Sequence, residues 1–380
     1  MRLRETYSLY ERKLKSGKTV FYYQCYDEDG KRICGHSTGQ RTKTAARNYC
    51  NKLYREGLLL PQKGKIPTFE EFAKGWWEWG TCSYLKRRIG RRAITKSYAD
   101  GAWSKLHNHL LPHFGKMRLD KITEHGIDKW LTSFAGRGYR NTTANGILNL
   151  MGTMLNEAVR QKLIPANPMV LVMKLKKDSK KIEILTPNEV RRLFPEGWRK
   201  VWDSYVPYVA NKLAACTGMR FGEVMGFRGE FLFEDYITVC GQYTSYGYTD
   251  TKTHESRNVP ISSTILRDLT ELRNSNGAGF LFSENGGKTP LGRKSVYDEL
   301  YSALRKIGID ENERRRRNLS FHGWRHFFNI TLRLDNIVDN KARSVMGHKG
   351  RLLTEHYTHF DTAEFTKIRQ VQETLLISCL

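Results

Sequence analysis

The amino-acid sequence predicts a mainly α fold with small β elements (α+β). It reads as an N-terminal three-stranded sheet plus helix, then a helical bundle, then a mixed, mainly helical domain with a β-meander. Three observations predict this. Apolar residues recur at helical spacing over most of the 380 residues. Turn pairs cut the first part of the chain into short extended segments. Two stretches, Gln62-Lys-Gly-Lys-Ile-Pro67 and Lys174-Leu-Lys-Lys-Asp-Ser-Lys-Lys181, break the periodic pattern where domains would meet. The division expected is 1–64, 65–173, a basic linker 174–182, and 183–380.

In order along the chain, Tyr7 to Leu14 and Thr19 to Tyr26 flank the turn pair Ser16-Gly17, and Asp27-Glu-Asp-Gly30 turns into a third strand, Lys31 to Ser37. Thr42 to Glu56 follows as a helix with Ala46, Tyr49 and Leu53 at helical spacing and a stop at Gly57. Thr68 and Glu71 form a capping box for a helix from Phe69 to Trp79. Trp103, Leu106 and Leu110 mark a second helix, ending at Pro112. Ile127, Trp130, Leu131 and Phe134 mark a third. Ile147, Leu150, Met151, Met154, Leu155 and Ala158 mark a fourth, halted by Ile164-Pro-Ala-Asn-Pro168. These aromatic stripes read as core rather than as a base-stacking platform, and Lys86-Arg-Arg88 and Arg91-Arg92 fall between helices. Thr186-Pro-Asn-Glu189 opens the last domain with an N-cap, a first-turn proline and a capping glutamate. That domain reads as helical around one meander, Tyr236 to Pro260.

Lysine and arginine number 64 against 39 aspartate and glutamate, a net charge of +25, so a polyanion is the expected partner. Residues 1–64 alone hold 14 Lys and Arg against 6 Asp and Glu, a density that suits a small sheet laid on DNA as well as a solvated basic surface. No apolar run reaches the roughly 18 residues of a membrane span, and Met1-Arg-Leu-Arg-Glu5 lacks a signal core, so a soluble intracellular protein is expected. Seven cysteines at irregular spacing, without a Cys-x-x-Cys pair, suggest neither a disulfide framework nor a zinc site. Gly286-Gly287-Lys288-Thr289 is no P-loop, since Phe282 stands where the first glycine is required.

Three sequence words carry chemistry. Thr217-Gly-Met-Arg220-Phe-Gly-Glu223 sets Arg220 and Glu223 at i,i+3 at a helix start. Ser320-Phe-His322-Gly-Trp-Arg325-His326 does the same for His322 and Arg325, with Phe321, Trp324, Phe327 and Phe328 as core anchors. Met346-Gly347-His348 stands nine residues ahead of Tyr357, with Gly347 suited to a tight turn. A phenol, two arginines and two histidines suffice to attack a phosphodiester without a metal: arginine forks clamp phosphate oxygens while staying charged, and cations ease deprotonation of the phenol. Glu223 suits the orienting of nearby donors. Two-metal catalysis would need clustered carboxylates, and the acidic residues here are scattered.

These words, in the order Arg…Lys…His-x-x-Arg…Gly-His…Tyr, closely resemble the tyrosine recombinases, the phage-type integrases and their relatives on conjugative transposons. Trp324 and Met346 stand where that family usually has leucine. The resemblance spans 183–380 as the catalytic domain and extends to 65–173 as a core-site DNA-binding domain and 1–64 as an arm-site DNA-binding domain. It implies that Tyr357 forms a 3′-phosphotyrosine, releasing a 5′-hydroxyl, while Arg220 and Arg325 hold the non-bridging oxygens and His322 and His348 assist. It further implies a lysine general acid on the hairpin between the first two words. Lys252 is the best match and Lys288 its nearest rival. Neither ATP nor a metal cofactor is implied. The partners implied are double-stranded DNA attachment sites, a homo-tetramer on DNA formed by exchange of the C-terminal helix, and DNA-bending or excision accessory proteins, with the protein cytoplasmic and nucleoid-associated when bound. In that helix Phe365, Ile368, Val371 and Leu375 form one stripe. The resemblance favours its docking on a neighbouring protomer over packing on its own domain. A metal-dependent transposase or nuclease, a type IB topoisomerase and a non-catalytic DNA-binding regulator are the competing readings.

Overall fold

The computed structural model describes residues 7–14, 17–26, 32, 35–56, 59, 66–89, 94–178, 183–250, 256–347 and 362–376. The chain separates into two compact units, Met1–Ser179 and Lys180–Leu380. The break falls within the basic stretch 174–182.

In the first unit, β1 (Tyr7–Lys13) pairs antiparallel with β2 (Thr19–Cys25), Tyr7 opposite Cys25 and Lys13 opposite Thr19. Of the expected third strand, the described residues form β3 over His36–Ser37 and a bridge from Arg32 to Tyr26. Gly35 leaves room for the Tyr10 side chain, which a Cβ there would meet. Helix α1 (Lys43–Arg55) starts where the Thr42 hydroxyl accepts the Ala45 N–H. It closes a small core of Tyr23, Cys25, Cys50 and Leu59. Gly57, the expected stop, lies outside the described residues.

Helix α2 (Phe69–Ala73) has the expected reciprocal cap, Thr68 N–H to Glu71 at 2.8 Å and Glu71 N–H to Thr68 at 3.2 Å. It does not run on to Trp79. The chain leaves the helix at Lys74, and Trp77 adopts φ 65° with its indole only 1% exposed. Burial of a large aromatic outweighs continuation of the helix there. A helix absent from the sequence reading follows, α3 (Ser83–Ile89), and it carries Lys86, Arg87 and Arg88, which were expected between helices. Its single buried apolar residue, Leu85, gives too little periodicity to detect. Helix α4 (Lys96–Lys105) passes through a π turn, Leu106–Leu110, into α5 (Leu111–Phe114). The stop expected at Pro112 is therefore overridden: in the wider turn Leu111 N–H reaches Leu106 O, and Pro112 occupies a first helical turn, where its missing donor costs least. Trp103, expected in the core, is 42% exposed and stacks on His107 at 3.9 Å. Helices α6 (Glu124–Ala135) and α7 (Asn141–Arg160) bury the apolar stripes read from the sequence. Glu157 on α7 accepts Arg160 at 2.8 Å and Arg87 of α3 at 2.7 Å, which fixes the unexpected helix in place.

The second unit opens with α8 (Pro187–Leu193), capped by Thr186 and Glu189 as the sequence predicts. Its centre is α9 (Tyr205–Thr217), buried from Pro207 to Thr217. Helix α10 (Phe221–Met225) leads to four strands, β4 (Tyr236–Val239), β5 (Gly241–Thr244), β6 (Gly247–Asp250) and β7 (Arg257–Pro260). They do not form a meander. β5 pairs with β6 across the two residues Ser245 and Tyr246, and β4 pairs with β7 outside them, so the strands nest as hairpin within hairpin. A tight turn forces its flanking strands together and leaves the outer two only each other. Helices α11 (Ser263–Asn276), α12 (Arg293–Lys306), α14 (Gly323–Leu334) and α15 (Asp339–Met346) share one core with α9, and α13 (Glu311–Arg317) packs on α12. A buried Lys212–Asp268 ion pair of 2.7 Å joins α9 to α11.

The last helix, α16 (Thr362–Leu376), is packed on its own unit, with Ile368, Val371 and Leu375 buried. Gln372, fully buried, accepts Ser262 N–H at 2.8 Å and donates to Cys216 O and Pro260 O at 2.8 and 2.9 Å. The expected docking of this stripe on a neighbouring protomer is thus not the arrangement in the single chain, where the nearest apolar cover is its own core.

Candidate active site

Four helix ends and one strand build the site. At the end of α9 the chain turns through Gly218 at φ +64°, a left-handed cap that a side chain would oppose. A Cβ there would also stand 3.1 Å from the Phe328 ring and 3.2 Å from Met346, so this glycine lets α9, α14 and α15 converge. Arg220 follows as the N-cap of α10, and Glu223 as the third residue of that helix. The i,i+3 placement read from the sequence is therefore a capping arrangement: Arg220 N–H donates to Glu223 Oε2 at 2.9 Å and its Nη1 to Oε1 at 2.7 Å.

Glu223 is 1% exposed, and a lone buried carboxylate would be costly. It is compensated by a residue to which the sequence reading gave no role. Arg257, at the start of β7, donates through Nη2 to Oε2 at 2.7 Å and through Nη1 to Oε1 at 3.3 Å. Burial pushes the Glu223 carboxyl pKa up, but the Arg257 charge and hydrogen bonds, followed by those of Arg220, outweigh it and hold the group below its ordinary value. The signal for Arg257 was present in the pattern. It shares a strand face with Val259, which is fully buried, and a charge on an inward face needs a partner.

His322 stands at the N-cap position of α14, exposed at the surface of the site; Arg325 lies one turn in and is 4% exposed. Arg325 Nη1 donates to Gly218 O at 2.9 Å, binding the second sequence word to the first. Burial, then the charge of Arg220, brings the Arg325 pKa down to about 10, which leaves it cationic at neutral pH. The His322 imidazole is held below its ordinary value by burial and then by His326, Arg325 and Arg220, so it is neutral and able to accept a proton near pH 7. The aromatic anchors lie where expected, all buried. Trp324, which stands for leucine, gives its indole N–H to Asn211 Oδ1 at 2.9 Å and so leaves no orphaned donor.

Helix α15 ends at Gly347, φ +67°, the tight turn read from the sequence. Its carbonyl accepts Arg220 Nη2 at 3.1 Å, and the Val345 carbonyl accepts Arg257 Nε at 2.7 Å. Arg220, Glu223, His322 and Arg325 are therefore brought together. Lys252, His348 and Tyr357 lie outside the described residues. Lys288, the rival hairpin lysine, is exposed on the loop after α11. The arrangement can grip a tetrahedral anion: guanidinium groups fixed by a buried carboxylate and by carbonyls, beside a neutral imidazole.

The model described as phage integrase family matches residues 183–364, and the one described as phage integrase central domain matches residues 69–174. Tyrosine recombinase XerD of Staphylococcus saprophyticus is 26% identical over 220 residues, covering 56% of this chain and 69% of that protein. The integrase of Mycobacterium phage L5 is 27% identical over 151 residues, 38% of each chain. Among solved structures, the Tn1549 transposon integrase in complex with a circular intermediate DNA superposes with a TM-score of 0.58 at 19% identity, covering 77% of this chain and 98% of that one. A lambda integrase tetramer bound to a Holliday junction gives 0.56 at 17% identity, with 94% and 99% covered. At these identities the structural likeness speaks for the fold.

Proposed function

Because this chain belongs to the phage integrase family, the tyrosine-type site-specific recombinases, we propose that it cuts and rejoins double-stranded DNA at attachment sites through a 3′-phosphotyrosine at Tyr357. The observation that carries the reading is the convergence of Arg220, held by the buried Glu223, with Arg325, held by the Gly218 carbonyl, and with His322 beside both arginines. The Tyr357 oxygen attacks phosphorus, the bond to the 5′-oxygen breaks, and Lys252 gives that oxygen a proton. Arg220 and Arg325 hold the non-bridging oxygens as they gain charge. His322 and His348 add hydrogen bonds and take up the phenolic proton as the new bond forms. A different 5′-hydroxyl then reverses the attack, and the bond energy kept in the ester makes ATP unnecessary.

The same reading assigns 1–64 to arm-site binding, 65–173 to core-site binding, 174–182 to the joint and 183–380 to catalysis, in a homo-tetramer on DNA that integrates and excises a mobile element. The solved relatives bound to a circular intermediate and a Holliday junction support it. In such a tetramer α16 leaves its own unit for a neighbour's, with DNA-bending or excision proteins setting direction. Among the described residues no helix is long and apolar enough to cross a membrane, which agrees with a site of action at the nucleoid in the cytoplasm.

A nicked suicide duplex carrying the attachment site tests the chemistry. Wild type should yield a slow-migrating covalent complex that Tyr357→Phe abolishes. Cleavage that survives Tyr357→Phe and is lost with EDTA points instead to a metal-dependent nuclease, and no cleavage with intact binding points to a regulator.

A further inference from the structure

Arg257 takes part in a closed circuit of hydrogen bonds. Its Nη atoms hold Glu223; Glu223 holds Arg220; Arg220 reaches the Gly347 carbonyl; and two residues back along the chain the Val345 carbonyl returns to Arg257 Nε. Its side chain is 9% exposed and that of Glu223 fully buried, so water competes little for the bonds between them. Gly347 lies so close that a Cβ on it would stand 2.9 Å from Arg257 Nη1. In sequence, Gly347 directly precedes His348, and Arg257 follows Lys252 by five residues. One guanidinium thus ties β7, the helix start that presents Arg220, and the turn at Gly347.

Resting on the recombinase reading, we infer that Arg257 is a positioning residue for strand cleavage, setting the Arg220 fork and the Gly347 turn in place before DNA arrives. Three features fit this role. A planar fork can serve a carboxylate and a carbonyl at once, which a lysine ammonium cannot do in the same geometry. Glu223 alone cannot orient Arg220, since without Arg257 it is a buried carboxylate with one partner and a weaker hold on its own position. Arg257 itself has a side chain 9% exposed and three of its five N–H donors on Glu223 and Val345, which sets it to hold its neighbours rather than a phosphate.

A group that acts by orienting others affects the rate at saturating DNA, whereas a group that merely stabilises the fold affects melting and binding together. Arg257→Met and Arg257→Lys are compared with wild type in single-turnover cleavage of the nicked duplex, in duplex affinity and in thermal melting. Displacing a reacting group by about 1 Å can cost about 100-fold, and a loss of that order is expected for Arg257→Met at saturating duplex, with affinity within about threefold. Arg257→Lys should recover part of the rate, and if Arg257→Met does not fold, Arg257→Lys should still be about tenfold slow with unchanged affinity. Cleavage within about threefold of wild type in the variant that folds, or a loss confined to affinity and melting, overturns the inference. A wild-type protein that forms no Tyr357 adduct overturns the recombinase reading as well, and so is told apart from failure at Arg257 alone.

Discussion

A single carboxylate organises the centre. Glu223 accepts from Arg220 twice and from Arg257 twice, and Arg325 is fixed separately, through Gly218 O. The two arginines assigned to phosphate are therefore held by different anchors and should fail differently. Arg325→Lys keeps the charge and loses the fork, so cleavage of the nicked duplex should slow by about 10²–10³-fold while duplex binding persists. Equal cleavage by both proteins in a single-turnover assay would remove Arg325 from the clamp. The arginines, His322 and Glu223 were legible in the sequence because each sits in a short word at fixed spacing. Arg257 was legible only in part: a charge on an inward strand face calls for a partner, but which partner depends on a strand meeting a helix end far away in the chain.

Among elements, α3 shows what a local pattern conceals. It presents one buried apolar residue and is held to α7 by Glu157, through Arg87. Hydrogen bonding from Arg160, against the upward push of burial, together with hydrogen bonds from Arg87 and Gln161, holds the Glu157 carboxyl at about 2 rather than the ordinary 4.5. The folded-state value is the depressed one, so the stabilisation is complete above 4.5 and fades as pH falls through about 2. Glu157→Gln should melt lower than wild type near neutral pH, and the gap between the two melting curves should narrow progressively below about pH 4. A gap independent of pH would mean that the carboxylate charge is not what holds Arg160 and Arg87. The capped helices α2 and α8 and the long stripes of α6 and α7 were readable, because caps and periodicity are local. The early end of α2, the π turn before Pro112 and the nesting of the strands were not: each is decided by what the rest of the fold buries or pairs.

At the scale of the molecule, charge dominates. A net +25 over 380 residues makes counterion release the main source of affinity for a duplex. Binding measured by fluorescence anisotropy should weaken by about 10³-fold or more between about 50 and 200 mM salt, and a loss below about tenfold would mean few phosphate contacts. The same excess reaches inward. Arg220, Arg257 and Arg325 lie within electrostatic reach of one another, with Glu223 as the carboxylate among them. Folding alone cannot neutralise that pocket, and the mutual repulsion persists for as long as no anion sits there. The idle enzyme is thus the tense one. On the proposed function a scissile phosphate relaxes it, so part of the work of gripping DNA is done in advance, while the chain folds.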